Sequence, residues 1–270
     1  MIEAAFQAAM AQAGLISRDA ILADGRLHRF HVEGDAPGKR NGYYVLFSDG
    51  VPAAAFGSWR TGVKGTWCAK AQHDLTPAEL AENRRRMDAA RKAREAEDRA
   101  VKQAAQKKAA TIWQASLPAP DNHPYLVKKG IRNHGPRLSR GALVIPLRDG
   151  AGMLHSLQFI DGEGNKLFLL GGRKKGCYFA IGNPSESLCI AEGYATGASI
   201  YESTGLPVAV AFDAGNLLSV AQTLRQKFPA AKIIICADDD DSTLGNPGLT
   251  KARIAAQSIG GFVAIPQVLL

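Results

Sequence analysis

The stretch KIIICADDDD, residues 232–241, joins an apolar run typical of a buried β-strand to four consecutive carboxylates. Like charges packed this closely repel one another, and an unpaired carboxylate is costly to bury. A group of carboxylates with no basic residue beside it favours a bound cation, and hard oxygen ligands select Mg²⁺ or Mn²⁺. Asp238 and Asp240 share a direction in an extended chain, so they are the predicted pair of metal ligands.

The segment from about Glu186 to the end of the chain alternates between strand-like and helix-like runs. The strand-like runs are SLCIA, PVAVAF, KIIICA and FVAIP, and the helix-like runs between them are YATGASIYEST, LLSVAQTLRQKF and LTKARIAAQSI. This alternation predicts an α/β domain at residues 186–270, built as a parallel sheet with right-handed crossovers.

Polar residues follow three of these predicted strands. Glu192 follows the first, Asp213 and Asn216 follow the second, and Asp238 follows the third. Chemistry in open parallel sheets gathers beyond the carboxyl ends of the strands, and neighbouring strands lie about 5 Å apart. Glu192 and Asp238 are therefore expected to face one pocket. An Asp-rich turn alone is commonly a solvated loop, but its coincidence with Glu192 in a basic protein favours a functional site.

Three further units precede this domain. Residues 1–75 predict a small α+β unit, because short strand-like runs alternate with Gly and Asp-Gly turns. Residues 76–116 predict a long basic helix, in which positions 84–108 hold ten basic and four acidic side chains. Its apolar stripe is thin and mostly alanine, which predicts a solvated helix rather than a core element. Residues 117–185 predict a mixed α+β subdomain, with strands at about 142–148, 153–160 and 166–170.

Composition limits the class of protein. The chain has 270 residues, a net charge of +8 and 46% hydrophobic residues, so it can bury a core and favours polyanion partners. No apolar run reaches the about 18 residues that a membrane span needs, and the N-terminus lacks the basic region of a secretion signal. The four cysteines form no CxxC pair. These features indicate a protein of the reducing cytoplasm that does not act at a membrane.

LCIAEGYATG (188–197) and IIICADDDD (233–241) together resemble the Toprim domain of primases, topoisomerases and related nucleases. That family has a strand ending in Glu-Gly and a later strand ending in Asp-x-Asp, in a parallel sheet with helices on both faces. The resemblance implies Glu192 as a general base or metal-linked acid and Asp238 and Asp240 as metal ligands. The AGN at 214–216 resembles a loop of the family, so Asn216 is a further candidate.

The resemblance extends upstream and covers about residues 123–266. YLVKKGI (125–131), GALVIPLRDGAG (141–152) and GNKLFLLGG (164–172) are similar to the segment before Toprim in bacterial-type primases. It implies that Arg140, Arg148 and Lys166 face nucleic acid or nucleotide phosphates. More narrowly, the chain resembles the primases of conjugative plasmids, phages and integrative elements, and residues 1–115 match only that group.

The run GGRKKGCYF (171–179) has two interpretations. It is not a P-loop, because no Lys-Ser or Lys-Thr follows Gly176. Its basic turn predicts contacts of Arg173, Lys174 and Lys175 with template or triphosphate, although a solvated turn is equally compatible with the pattern.

The sequence departs from the family pattern at three points. The glycine usual soon after Asp-x-Asp is delayed to Gly248. No zinc-binding module precedes the core. Many members of the family continue into a helicase where this sequence ends, which makes a replicative helicase a candidate partner.

These observations predict a metal-dependent DNA primase, a nucleotidyltransferase that makes short primers on single-stranded DNA from nucleoside triphosphates with Mg²⁺ or Mn²⁺. Two alternatives stay open. A Toprim nuclease would use the same carboxylates to hydrolyse phosphodiesters, and a non-catalytic DNA-binding accessory protein would keep the fold as a scaffold.

Several aromatic and histidine residues are expected to have structural and not functional roles. His28 and His31 are expected to be strand residues rather than metal ligands. Core packing is favoured over base stacking for the group Tyr44, Trp59 and Trp67. Tyr194 and Tyr201 lie on a helix expected to pack on the sheet, so neither is expected to be a topoisomerase nucleophile.

Overall fold

The computed structural model describes residues 2–35, 37–184, 186–237 and 246–265. The chain divides into two compact units, Met1–Arg99 and Ala100–Leu270. Among the described residues, no helix is both long and apolar enough to cross a bilayer. The four cysteines, all of them among the described residues, form no disulfide.

The first unit packs one helix on a four-stranded antiparallel sheet. Its elements are α1 (Ile2–Gln12), β1 (His28–Phe30), β2 (Gly42–Phe47), β3 (Ala53–Ser58) and β4 (Lys64–Cys68), with the strands in the order β1-β2-β3-β4. Phe6 of α1 is fully buried, and its ring meets those of Tyr44 and Phe56 edge-on at 5.6 and 5.8 Å. Trp67 also packs against this core. The prediction of core packing is therefore right for Tyr44 and Trp67.

Trp59 does not follow that prediction, because it directly follows β3 and is 49% exposed. His28 and His31 have separate hydrogen-bond partners: His28 Nε2 lies 2.7 Å from Asp24 Oδ1, and His31 Nδ1 lies 2.9 Å from the carbonyl of Lys39. Only the first of the two lies in a strand.

A buried carboxylate organises the loops beside this sheet. Asp35 accepts hydrogen bonds from the side-chain amide and the backbone N–H of Asn41, from the N–H of Val32 and from Nε of Arg60 at 2.7 Å. The Asn41 amide, with the other three donors, lowers the pKa of Asp35 to about 2, although burial acts in the opposite direction. The carboxylate therefore stays ionised in the folded unit and ties three loop segments together.

The second unit begins within a long helix, α2 (Pro77–Ala115), which starts at the expected capping box of Thr76 and Glu79. An antiparallel sheet with one short helix follows. Its elements are β5 (Leu117–Pro118), α3 (Pro124–Lys129), β6 (Arg137–Ser139), β7 (Ala142–Arg148), β8 (Leu154–Ile160) and β9 (Lys166–Phe168), with the strands in chain order. Strands β7, β8 and β9 lie where the sequence predicts them.

The last part of the chain forms the predicted parallel sheet. Its elements are β10 (Phe179–Ile181), β11 (Ser187–Ala191), α4 (Tyr194–Thr204), β12 (Val208–Val210), α5 (Leu217–Lys227), β13 (Lys232–Cys236), α6 (Pro247–Ile259) and β14 (Phe262–Ala264). The strand order is β10-β12-β11-β13-β14, and only β10 is antiparallel to its neighbour. One core holds α4 residues and another holds α5 and α6 residues, so helices cover both faces and the predicted fold class is confirmed.

The C-terminal half of α2 corrects the expectation of a solvated helix. Ala105 and Ala109 are buried, and Ala109 shares a core with Val144 and Leu157 of the antiparallel sheet and with Leu169, the residue after β9. Alanine has no side chain beyond Cβ, so the alanine stripe lets the helix approach the sheet closely. The expectation does describe much of residues 84–104, where most side chains are exposed or half-buried.

We expect Ala109→Leu to lower the free energy of unfolding by about 1–3 kcal/mol, because extra methylenes would overpack this core. Ala104→Leu is the matched control: Ala104 is an exposed alanine of the same helix, and its substitution should change stability by no more than about 0.5 kcal/mol. Urea unfolding of the full chain, followed by circular dichroism, measures both. Equal effects would contradict the packing of α2 described above.

Asp35 should make the stability of the chain depend on pH in the acidic range. Its pKa is lowered from 3.8 to about 2, so its stabilising effect is complete above the unfolded value and is lost as pH falls towards 2. Asp35→Asn should therefore lower the thermal unfolding midpoint at pH 7, and the gap from wild type should narrow between pH 4 and pH 2. Asp19→Asn, at an exposed carboxylate, should show no such convergence. A gap for Asp35→Asn that stays constant with pH would contradict this assignment.

Candidate active site

The ends of β11 and β13 lie side by side in the parallel sheet. Ala191, the last residue of β11, is in register with Cys236 of β13 on one side and with Val210 of β12 on the other. Glu192 therefore emerges between the segments that follow these two strands. Ala237 is the last described residue before the acidic run, and Asp238 and Asp240 lie outside the described residues.

The side chain of Lys166 lies close to Gly193, the residue that follows Glu192. Glu192 is half-buried, and Gly193 is the N-cap of α4. A Cβ added at Gly193 would lie 3.8 Å from Nζ of Lys166. Lys166 pairs with Ile160, whose side chain packs towards β11, so this face of β9 turns towards the parallel sheet. The predicted phosphate-binding lysine and the predicted catalytic glutamate are thus neighbours, although residues 167–191 separate them in sequence.

The end of β12 carries a strained residue and an ion pair. Phe212 has a φ of +74°, a conformation that non-glycine residues rarely adopt and that is often associated with functional sites. Its ring meets Phe168 edge-on at 6.1 Å. Asp213, the next residue, forms a hydrogen-bonded ion pair with Lys174, whose ammonium also lies 5.2 Å from the Phe168 ring. The Lys174 side chain is thereby held at the strand end.

Asn216 has a different place from the one predicted. It is only 2% exposed. The two N–H groups of its amide are shared among the carbonyls of Lys174, Cys177 and Ala211, which lie 3.2, 3.0 and 2.9 Å from the nitrogen. Its oxygen accepts the N–H of Gly176 at 2.9 Å. The side chain therefore fastens the basic turn to the end of β12, and it has little surface to offer to a nucleotide. The geometry makes it a positioning residue.

The basic turn also contacts a pair of residues that the sequence did not single out. Asp149 Oδ2 lies 2.7 Å from Nε2 of His155 and 3.8 Å from Nη2 of Arg173. Burial raises the pKa of Asp149, but the His155 bond and the N–H groups of Met153 and Ala151 outweigh it and hold the pKa below its usual value. The Asp-Gly turn after β7 was the only available signal for this cluster. Lys175 is exposed.

Arg148 and Arg140 lie on the other side of the antiparallel sheet from Lys166. Arg148 pairs with Leu154, which belongs to the core shared with α2. Its Nη1 donates to the carbonyl of Gly152 at 2.9 Å, and its guanidinium lies 5.9 Å from the Trp113 ring. Arg140 is exposed in the turn before β7 and borders a cavity of about 750 Å³ beside α2. The predicted basic contacts thus form two groups, one beside Glu192 and one beside α2.

Tyr194 is unsuited to nucleophilic attack. It is 1% exposed, and burial raises its pKa to about 12. Its hydroxyl accepts the N–H of His134 at 3.1 Å. The expectation that it packs on the sheet agrees with this position.

Within the described ranges, no three side chains of His, Cys, Asp or Glu form a cluster that could hold a metal ion. The acidic run at 238–241 lies outside those ranges. Among the described residues, the strand ends carry the carboxylates of Glu192 and Asp213, and Asp213 is paired with Lys174. A carboxylate oxygen is a hard donor of the kind that Mg²⁺ and Mn²⁺ prefer, so the donor set is compatible with either ion.

Comparison with known proteins identifies the class of this domain. Residues 187–265 match the Toprim domain family, so this part of the chain is a Toprim domain. The chain is also 37% identical over 257 residues to a protein named DNA primase TraC from Escherichia coli, and 34% identical over 282 residues to another of that name and organism. The resemblance to Toprim-domain primases is therefore confirmed.

These relatives are much longer than the chain. The alignments cover 91% and 97% of this chain but only 24% and 19% of the two relatives. Among solved structures, the primase fragment of the bacteriophage T7 primase-helicase protein overlaps 57% of this chain and 71% of its own, with 16% identity and a TM-score of 0.41. A structural likeness at this TM-score supports no conclusion about the site.

We expect Asn216→Ala to loosen the basic turn, because the Gly176 N–H would lose its acceptor and the carbonyls of Cys177 and Ala211 would lose the amide donor. The cost should be about 2–3 kcal/mol in the free energy of unfolding. Limited trypsin digestion should then cleave faster after residues 173–175, since the backbone of the turn would no longer be fixed. Gln222→Ala, at an exposed position on α5, should leave the digestion pattern unchanged. Unaltered cleavage of the turn in Asn216→Ala would show that Asn216 does not hold it.

Proposed function

We propose that the chain is the catalytic part of a metal-dependent DNA primase of a mobile genetic element. It would make short primers on single-stranded DNA from nucleoside triphosphates. The observation that carries the proposal is the adjacency of the β11 and β13 ends within a Toprim domain. Similarity to proteins named DNA primase across nearly the whole chain supports the same reaction.

Phosphoryl transfer depends on positioning and charge neutralisation more than on covalent chemistry. Glu192, Asp238 and Asp240 would hold Mg²⁺ or Mn²⁺ through their carboxylate oxygens. The ion, when bound, would neutralise phosphate charge and make the attacking hydroxyl more acidic. Glu192 is the described member of this set, and its role is to bind the ion or to accept the proton of the primer 3′-hydroxyl.

The residues around Glu192 would hold the incoming triphosphate. The first N–H groups of α4 have no partner within the helix, and Lys166 adds a positive charge beside Gly193. Lys174 is held at the end of β12 by Asp213, and Arg173 and Lys175 belong to the same turn. Asn216 would act on the triphosphate only through this turn, because its own amide bonds to the backbone of the turn and of Ala211.

The second basic group would hold the template. Arg148 and Arg140 lie beside α2, and Arg137 stacks on Trp113 with its guanidinium 4.3 Å from the ring. The neighbouring turns of α2 add Lys102, Lys107 and Lys108, all exposed. Such a surface binds the sugar–phosphate backbone without sequence preference, and its affinity falls with salt.

The proposal also includes a cellular location and a protein partner. The four cysteines, all in the described part of the chain, form no disulfide, which supports a reducing cytoplasm as the site of action. A replicative helicase is proposed as a partner from the resemblance to the primase family alone.

The test is to incubate the full chain with single-stranded DNA, Mg²⁺ or Mn²⁺, and labelled nucleoside triphosphates. New short oligomers would support a primase. A shortened template would instead indicate a Toprim nuclease, and binding without turnover would indicate an accessory protein. The last two outcomes would each overturn the proposal.

We expect Glu192→Gln to reduce primer synthesis by about 10²–10⁴-fold, the usual contribution of a general acid or base. Asp238→Asn should abolish synthesis, and both variants should retain binding to single-stranded DNA. Glu186→Gln is the matched control, because Glu186 is an exposed glutamate just before β11, and it should leave the rate unchanged. Wild-type turnover in Glu192→Gln or Asp238→Asn would refute the assignment of that residue.

A further inference from the structure

A row of side chains crosses the sheet of the first unit on the face opposite its α1 core. Arg29 of β1 is paired with Tyr43 of β2, Tyr43 with Gly57 of β3, and Gly57 with Lys64 of β4. Cross-strand partners share a face of the sheet, so these residues form one line. The Tyr43 ring lies over Gly57, where an added Cβ would be 2.6 Å from its hydroxyl. Glycine at this position lets the tyrosine lie across the sheet.

Trp59 extends this row into solvent. Its ring centroid lies 4.4 Å from that of Tyr43, and the Arg29 guanidinium carbon lies 4.4 Å from the indole ring. The residue nevertheless remains 49% exposed. We call Arg29, Tyr43, Trp59 and Lys64 the Trp59 surface. It combines an accessible aromatic ring with two cationic side chains.

The position of Trp59 is fixed by the hydrogen bonds around Asp35. The backbone N–H of Trp59 donates to the carbonyl of Asn41 at 3.0 Å. Asn41 is bonded through its amide to Asp35, and Arg60, the residue after Trp59, is bonded to the same carboxylate at 2.7 Å. The backbone on both sides of the indole is therefore anchored. A ring held in this way loses little conformational freedom when a ligand stacks on it.

A groove adjoins the Trp59 surface within the same unit. It has a volume of about 480 Å³ between the sheet and α2. Tyr43, Val45 and Ala55 form its floor, and Lys64 and Arg91 stand among its walls. Asp88 also lines the groove and is paired with Arg91 at 3.1 Å, which leaves the charge of Lys64 without an opposing carboxylate among the lining residues.

We infer that the Trp59 surface binds single-stranded DNA, with an unpaired base stacked on Trp59 and neighbouring phosphates held by Arg29 and Lys64. An accessible aromatic ring beside cations is the arrangement that binds unpaired strands, because every base offers a π-face and every linkage a negative charge. The faces of paired bases are hidden inside a duplex, so a duplex should not use the ring. This inference goes beyond the proposed function, since the site shares no residue with the Toprim carboxylates and needs no turnover.

The test measures binding of the full chain to a fluorescent oligodeoxythymidylate by anisotropy, with EDTA present and nucleotides absent. Trp59→Ala should weaken binding about tenfold, equivalent to ~1.4 kcal/mol, as expected for loss of one stacked base. Trp59→Phe keeps an aromatic ring and should bind within about threefold of wild type. Thermal unfolding of both variants, compared with that of wild type, shows whether either substitution disturbs the fold.

Salt dependence separates the cations of the Trp59 surface from general charge. Arg29→Ala should reduce the slope of log affinity against log salt by about 0.7, the value for one phosphate contact on a single strand. Arg26→Ala is the matched control: it removes the same charge from an exposed arginine outside the row, and it should leave the slope unchanged.

Two results would overturn the inference. Wild-type affinity in Trp59→Ala would show that the ring is not used, and would leave a protein partner as the occupant of this surface. Equal competition by a duplex, weakened equally by Trp59→Ala, would exclude stacking on an unpaired base. Because these measurements need no primer synthesis, they succeed or fail independently of the proposed activity.

Discussion

The parallel pairing of β11 with β13 is the constraint on which the candidate site depends. Five consecutive residue pairs join the two strands, from Ser187 with Lys232 to Ala191 with Cys236. Ile190, Ile233 and Ile235 are fully buried in the core that α5 and α6 cover. A slip of one residue would turn each of these side chains to the opposite face, so burial fixes the register. Glu192 consequently lies at a fixed height next to the segment that leads into the acidic run.

The basic residues of the antiparallel sheet lie on both of its faces. Alternate residues of a strand point to opposite faces. On β7 this places Leu143 and Ile145 against the Toprim core and Arg148 on the side of α2. On β9 it places Lys166 towards Glu192. A layer of packed apolar side chains therefore separates the positive charge of Arg148 from that of Lys166.

Much of this architecture could be predicted from the sequence, because the parallel sheet follows from regular alternation and its polar strand ends follow from the topology. The exceptions have separate physical causes. Ala109 looks like a residue of a solvated helix, since hydrophobic patterning gives alanine little weight, yet its small size is what allows close packing. Trp59 looks like a core residue, and its exposure depends on a loop fixed by Asp35. Asn216 and His155 make contacts across more than one element, and sequence spacing carries no information about such contacts.

The hydrogen bonds of Asn216 have a consequence for how the basic turn can vary. They hold the backbone of residues 174–177 and do not involve the exposed side chain of Lys175. Arg173 differs from Lys175, because its Nε donates to the carbonyl of Lys175 within the turn. The shape of the turn is therefore independent of which side chain stands at position 175, and the turn is already ordered in the folded chain. Evolution can therefore change the number and reach of the charges at this edge of the sheet while the path of the main chain stays the same.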